Sequence, residues 1–303
     1  MGADLLVRGA VALARRLRVP PMVVALTVVA LGTSLPEMVV AIQAALTGYP
    51  GILLGNVVGS NIANVLLVGG LAAAVYPLTC SDPAVRRDST LMMIASVLFV
   101  VLCLLGELNR GTGAGLLVAL AVVLSFTARD AARAHRDPGS KIPLDWALGL
   151  PTRLGYIIAF IAVGLAFLPM GADLVVTASV EIAERIGVTE AVVGLSIIAF
   201  STSLPELATT VVAAFQRRTE MVVGTIVGSN IFNLLAIIGI AALVSPSAIP
   251  VPSSFTAFDL PVMLIAATAL TASVWLRGHI GRVLGGILAV GYAAYVVALF
   301  AGS

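Results

Sequence analysis

The chain of 303 residues is 60% hydrophobic and 11% charged, with a mean hydropathy of +1.10 and a formal net charge of +2. A water-soluble domain of this length needs a charged surface, so the balance excludes an ordinary soluble fold and points to lipid as the main solvent. The cysteines, Cys80 and Cys103, have neither disulfide-framework nor metal-ligand spacing, and His135 and His279 lie in loops.

A helix needs about 20 mostly apolar residues to cross roughly 30 Å of hydrocarbon. Apolar stretches of this kind run over residues 1–17, 20–47, 51–76, 89–106, 112–128, 151–184, 188–215, 220–244, 257–276 and 282–301, which predicts about ten transmembrane helices in an all-α polytopic membrane protein. The polar run Arg129 to Asp145 reads as a solvated loop, giving a first half (1–128), a linker (129–150) and a second half (151–303).

The halves are copies. Residues 1–66 align with 170–235 at a constant offset of 169, without a gap and with 29 identities, too many for a shared apolar bias alone. Thr33-Ser34-Leu35-Pro36-Glu37 recurs as Thr202-Ser203-Leu204-Pro205-Glu206, and Gly59-Ser60-Asn61-Ile62 as Gly228-Ser229-Asn230-Ile231. The first copy starts at Met1, whereas the second has an apolar lead, Tyr156 to Leu168, so a shortened first span is expected. Loops after the odd-numbered spans carry Arg15, Arg16, Arg18, Arg86, Arg87, Arg129, Arg133, Arg136, Lys141, Arg217, Arg218, Arg277 and Arg282; the opposite loops carry Arg110 and Arg185. The positive-inside rule then places the linker in the cytoplasm and the C-terminus outside, in a plasma (inner) membrane. Five spans per copy is an odd number, so the second copy enters the membrane inverted, as in many transporters with a midplane site.

The chemistry sits in those repeated motifs. Pro36 falls mid-span, lacks an N–H and clashes with the carbonyl one turn back, so the helix must break there. Carbonyls freed near Ala30 to Thr33 need partners that lipid cannot supply, and a cation beside Glu37 can. The same holds for Ala199, Thr202, Pro205 and Glu206. The competing reading is a capping box, in which Ser34 caps the new helix and Glu37 bonds back to it. Membrane depth favours the ion reading, because a carboxylate at the bilayer centre costs at least about 2.5 kcal/mol and usually marks an ion path. Ser60 and Asn64, four residues apart, share one helix face, as do Ser229 and Asn233. Close helix packing accounts for Gly55, Gly59, Asn61 and Asn230, leaving Ser60, Asn64, Ser229 and Asn233 to line a pocket. All these donors are oxygens, which suits Ca²⁺ with its six to eight oxygen ligands, and two glutamates give 2 × (−1) = −2, enough to neutralise one Ca²⁺ or to hold Na⁺.

Gly32–Glu37, Ser201–Glu206, Gly55–Asn64 and Gly224–Asn233 together resemble the α-repeats of the sodium/calcium exchangers, in the cation/Ca²⁺ antiporter superfamily, over both halves. The resemblance implies a fold of two inverted five-helix repeats, with the second, third, seventh and eighth spans broken around a midplane site. It implies Ca²⁺ held by Glu37, Glu206 and the Thr33 and Thr202 carbonyls. It implies Na⁺ sites using Ala30, Ser34, Ser60, Ala199, Ser203 and Ser229, with Asn64 and Asn233 in the middle. It further implies exchange of Na⁺ for Ca²⁺ by alternating access across the lipid bilayer, with no organic cofactor and no nucleic acid, and it points to no particular protein partner. Ser201 departs from the glycine usual at that position, and asparagine at both 64 and 233 argues against K⁺ co-transport. The nearest alternative is a proton-coupled Ca²⁺ antiporter. An intramembrane hydrolase is disfavoured because no His or Lys accompanies Ser34 or Ser203 in the spans, and a non-transporting scaffold would leave the glutamates dispensable. Trp146 and Trp275 are expected to be interfacial anchors, and Asp4 and Arg8 a helix ion pair.

Overall fold

A computed structural model describes residues 34–80, 83–134, 151, 153–215, 217 and 219–302, with Leu5, Arg8 and Ala12 at the start. Ala30, Thr33, Asp4, Trp146 and most of the linker lie outside the described residues, as does the first span apart from those three positions.

The described residues are almost entirely helical. Helix α1 spans Leu35–Thr47 and stops at Gly48, whose φ of 81° is left-handed, a turn that glycine adopts without a Cβ clash. Helix α2 runs Pro50–Val75, α3 Pro83–Cys103, α4 Arg110–Ala134 and α5 Leu154–Ile186. Helix α6 covers Glu190–Phe215, α7 begins at Thr219 and ends at Val244, α8 covers Phe255–Arg277 and α9 Arg282–Ala301. Among the described residues six helices are long and apolar enough to cross a membrane: α2, α4 (over Arg110–Thr127), α6, α7 (over Val222–Val244), α8 and α9. Helix α3 starts six residues before its apolar stretch, because the helix continues through Arg86 and Arg87 into the polar zone.

Two short antiparallel pairings tie the connecting loops at opposite ends of α3. Strand β1 (Leu78–Thr79) pairs with β4 (His279–Ile280), and β2 (Glu107–Leu108) pairs with β3 (Ile249–Pro250). At the β1/β4 end the Cys80 N–H donates to the Gly278 carbonyl (2.8 Å), and Arg282 Nη2 donates to the Val75 carbonyl (3.4 Å). Arg217 lies over the Tyr76 ring and Arg86 over the Trp275 ring at the same end. Three arginines that the sequence assigns to one side of the membrane, Arg86, Arg217 and Arg282, are therefore gathered there. Cys80 and Cys103 are buried and unbridged. Burial pushes the Cys80 thiol, in the loop, up to about 11, which keeps it protonated and weakly nucleophilic.

The centre of the fold is the crossing of α2 with α6. Gly51, Gly55 and Gly59 recur every fourth residue along one face of α2 and meet Ala191, Gly194 and Leu195 of α6. A Cβ on Gly55 would stand 2.9 Å from Gly194 Cα, so these backbones are in van der Waals contact. In lipid, where no hydrophobic force draws helices together, small residues that let backbones approach supply the packing energy. Helix α9 packs against the C-terminal part of α2, α4 against α7, and α3 against both α7 and α8.

Candidate cation site between α1, α2, α6 and α7

The tight crossing brings polar side chains of both halves to one level. Ser34 precedes α1 with φ −87° and ψ 6°, and Ser203 interrupts α6 with φ −80° and ψ 0°. Helix α1 starts at Leu35, one residue before Pro36, and the turn within α6 falls at Ser203, two residues before Pro205, so neither proline removes a hydrogen bond that its own half-helix needs. Each proline then sits in the first turn of the following half-helix, and Pro205 brings no N–H to the Ser201 carbonyl. The capping box is not formed at Ser34. Its side chain makes no cap bond, and among the described residues neither its Oγ nor either Glu37 carboxylate oxygen meets a partner in hydrogen-bonding geometry.

Both glutamates are enclosed, Glu37 at 0% exposure and Glu206 at 1%. The Glu206 carboxylate lies close enough to Glu37 to repel it, and the Thr202 hydroxyl stands near the same carboxylate. That hydroxyl spans the interface, approaching Asn56 Oδ1 at 3.2 Å and Ser60 Oγ at 3.4 Å while bonding back to the Ile198 carbonyl at 3.0 Å. Asn56 Nδ2 in turn donates to the Glu37 carbonyl at 2.9 Å. One amide thus connects α1, α2 and α6.

Beyond it lies a second polar level. Asn64 Nδ2 donates to Asn230 Oδ1 at 3.1 Å, and Asn230 Nδ2 donates to the Asn61 carbonyl at 3.3 Å. Asn64 and Asn233 each open a π-wound stretch, Asn64–Gly69 and Asn233–Ile237, at equivalent positions of the two copies. Helices α2 and α7 are thus interrupted by widened turns rather than by a turn out of the helix, a feature that often accompanies functional sites. Ser203 Oγ, Ser229 Oγ, Asn64 Oδ1 and both side-chain atoms of Asn233 are buried without a hydrogen-bonding partner among the described residues. Burying a hydroxyl or amide without a partner costs roughly 1–3 kcal/mol, so a cluster of such atoms is costly unless something polar shares the space.

Ser34, Glu37, Ser60, Asn64, Thr202, Ser203, Glu206, Ser229 and Asn233 are all buried on the four converging helices. The Ala199 carbonyl already accepts from the Ser203 N–H at 3.1 Å, and a Cβ on Gly59 would meet its methyl. Ser201 is exposed and bonds back to the Ile197 carbonyl, away from the cluster. Asn56 is the residue that repeat matching missed, because Thr225 occupies its place in the second copy. Its spacing could have revealed it, since Asn56, Ser60 and Asn64 lie at i, i+4 and i+8 on one face. Among the described residues no three His, Cys, Asp or Glu side chains form a metal cluster.

Comparison with known proteins agrees with this architecture. The family model described as sodium/calcium exchanger protein matches residues 1–129 and 156–301. The chain belongs to the sodium/calcium exchanger family. It is 34% identical to Inner membrane protein YrbG of Escherichia coli K12, over 98% of this chain and 92% of that protein. It is 32% identical to Sodium/calcium exchanger MaX1 of Methanosarcina acetivorans, over 99% of this chain and 94% of that one. The sodium-calcium exchanger NCX_Mj, solved after soaking with 10 mM Na⁺ and 10 mM Sr²⁺, superposes with a TM-score of 0.68 at 27% identity. That match covers 98% of this chain and 93% of that one. Family membership makes the protein a multi-pass membrane antiporter of the cation/Ca²⁺ exchanger type and not an enzyme.

Proposed function

We propose that this exchanger moves Ca²⁺ across the membrane against Na⁺ by alternating access, with Glu37 and Glu206 binding either ion in competition. The observation that carries the reading is the cluster of buried oxygen donors. Glu37, Ser34, Ser203, Ser229, Asn64 and Asn233 hold side-chain oxygens with no partner among the described residues, and Glu37 lies within electrostatic reach of Glu206. A buried cluster of hard oxygen ligands suits Ca²⁺ or Na⁺ and offers nothing to a soft metal.

Two ionised carboxylates repel each other, and a divalent cation between them removes that repulsion. Without it the pair must separate, take up protons, or accept monovalent cations. Na⁺, with half the charge, can replace Ca²⁺ when several ions share the hydroxyls and amides around the glutamates. Ser60, Ser229, Asn64, Asn233, Ala199 and the Thr202 carbonyl complete the site in this reading, together with Ala30 and the Thr33 carbonyl. The ion is cargo, and in this reading the interruption at Ser203 turns backbone carbonyls toward it. Halves 1–128 and 151–303 act as inverted repeats joined by a cytoplasmic linker, 129–150, with the C-terminus outside.

The test is ⁴⁵Ca²⁺ uptake into proteoliposomes under an outward Na⁺ gradient, beside the same uptake under a pH gradient. The reading expects Na⁺-driven uptake that Glu37→Gln and Glu206→Gln each reduce to background. Uptake driven by the pH gradient and indifferent to Na⁺ would replace it with proton coupling.

A further inference from the structure

We propose that the groove between the first turns of α3 and the last turn of α8 binds the phosphate head group of an anionic phospholipid, with one acyl chain lying along α3. The groove has a volume of about 410 Å³ and is lined by Pro83, Arg86, Arg87, Thr90, Leu91 and Trp275. It lies away from the paired glutamates, at the end of the molecule where the arginines gather.

The head-group end is prebuilt. Thr90 Oγ1 donates to the Arg86 carbonyl at 2.9 Å and accepts from Trp275 Nε1 at 3.0 Å, which fixes the ring against α3. The Arg86 guanidinium stacks over that ring, 5.8 Å from its centroid. Arg86 Nε is buried and has no acceptor among the described residues. Arg87 differs, since Nε and Nη2 both donate to Asp88 Oδ1 at 2.8 and 2.6 Å. The groove therefore presents one committed guanidinium and one with donor capacity to spare, and a phosphate oxygen is the acceptor that fits. Arg277 and Arg282, at the same end, add to the positive potential that draws anionic lipid.

The tail end separates a lipid from a free anion. Ile94, Val97 and Val101 follow Thr90 at i+4, i+7 and i+11, one face of α3, and all three are exposed. Eleven residues of helix cover about 16 Å, roughly half the hydrocarbon thickness and so one leaflet. A soluble phosphate would use the arginine and leave this stripe bare.

The experiment uses the full chain carrying Trp146→Phe, which leaves Trp275 as the lone tryptophan. The protein is reconstituted in phosphatidylcholine with increasing dibrominated phosphatidylglycerol or dibrominated phosphatidylcholine, and bromine quenching of Trp275 is read. The expected result is half-maximal quenching by the anionic lipid at about fivefold lower mole fraction than by the zwitterionic one. Arg86→Gln should make the two curves coincide, Arg86→Lys should retain most of the preference, and saturating glycerol phosphate should change nothing. Coincident curves in the Arg86-containing protein would overturn the proposal without reliance on any charge variant. So would a preference that survives Arg86→Gln, or quenching reversed by glycerol phosphate.

Discussion

Asn64 and Asn233 hold the same place in the two copies, yet they are used differently. Asn64 donates across the interface to Asn230, while both polar atoms of Asn233 lack a partner among the described residues. The glycines one face away behave likewise. Gly55 is pressed against Gly194, and its equivalent Gly224 has, among the described residues, nothing within 4 Å of where a Cβ would lie. Among the described residues the duplication reproduces the half-helices that begin at Leu35 and Leu204 and the π-wound turns at Asn64 and Asn233, while the contacts at those positions differ. Among the described residues the first copy's α2 makes the close glycine crossing, and Asn233 of the second copy keeps donors available at the level of Asn64.

The glycine pair breaks the comparison most sharply. Gly55→Ala should lower stability by about 1–3 kcal/mol through overpacking against backbone that cannot move aside. Gly224→Ala should be neutral or gain up to about 1 kcal/mol by stiffening the helix. A thermal melt of each variant in detergent checks both, and equal losses would mean that the copies are packed alike. Next in size is Asn56, which serves the Glu37 carbonyl and the Thr202 hydroxyl together. Asn56→Ala should cost about 1–3 kcal/mol of stability by leaving the Glu37 carbonyl and Thr202 short of partners. Asn56→Thr, which writes the second copy's residue into the first, should weaken Ca²⁺ uptake more than the melt. A smaller contrast separates the asparagines. Asn64→Ala should lower the melting temperature by an amount matching about 1 kcal/mol, the worth of one buried bond. Asn233→Ala should leave the melt nearly unchanged and alter the Na⁺ dependence of uptake. The least effect falls on Cys80, whose buried, protonated thiol should resist maleimide near neutral pH in the folded protein and react once it is unfolded.

Much of this was legible in the residues. Hydropathy and length gave the membrane class, and the offset of 169 located the paired motifs that the fold buries together. Proline chemistry gave the interruption of α6 to within two residues. Asn56 escaped because it is where the copies differ, and matching copies rewards sameness. The Gly55–Gly194 contact escaped because a repeat alignment compares each copy with the other and says nothing of which faces touch. The capping box at Ser34 could not be set aside from sequence, since its spacing fits both readings; only the absence of the cap bond separates them.

The central claim is that Glu37 and Glu206 serve one cation, not two separate ones. Equilibrium ⁴⁵Ca²⁺ binding to the purified protein at low Na⁺, for Glu37→Gln, Glu206→Gln and the double variant, tests it directly. A shared site predicts that either single variant abolishes binding as completely as the pair does, with Na⁺ displacing Ca²⁺ from the unsubstituted protein. Half the binding retained in each single variant, or binding indifferent to both substitutions, would contradict it.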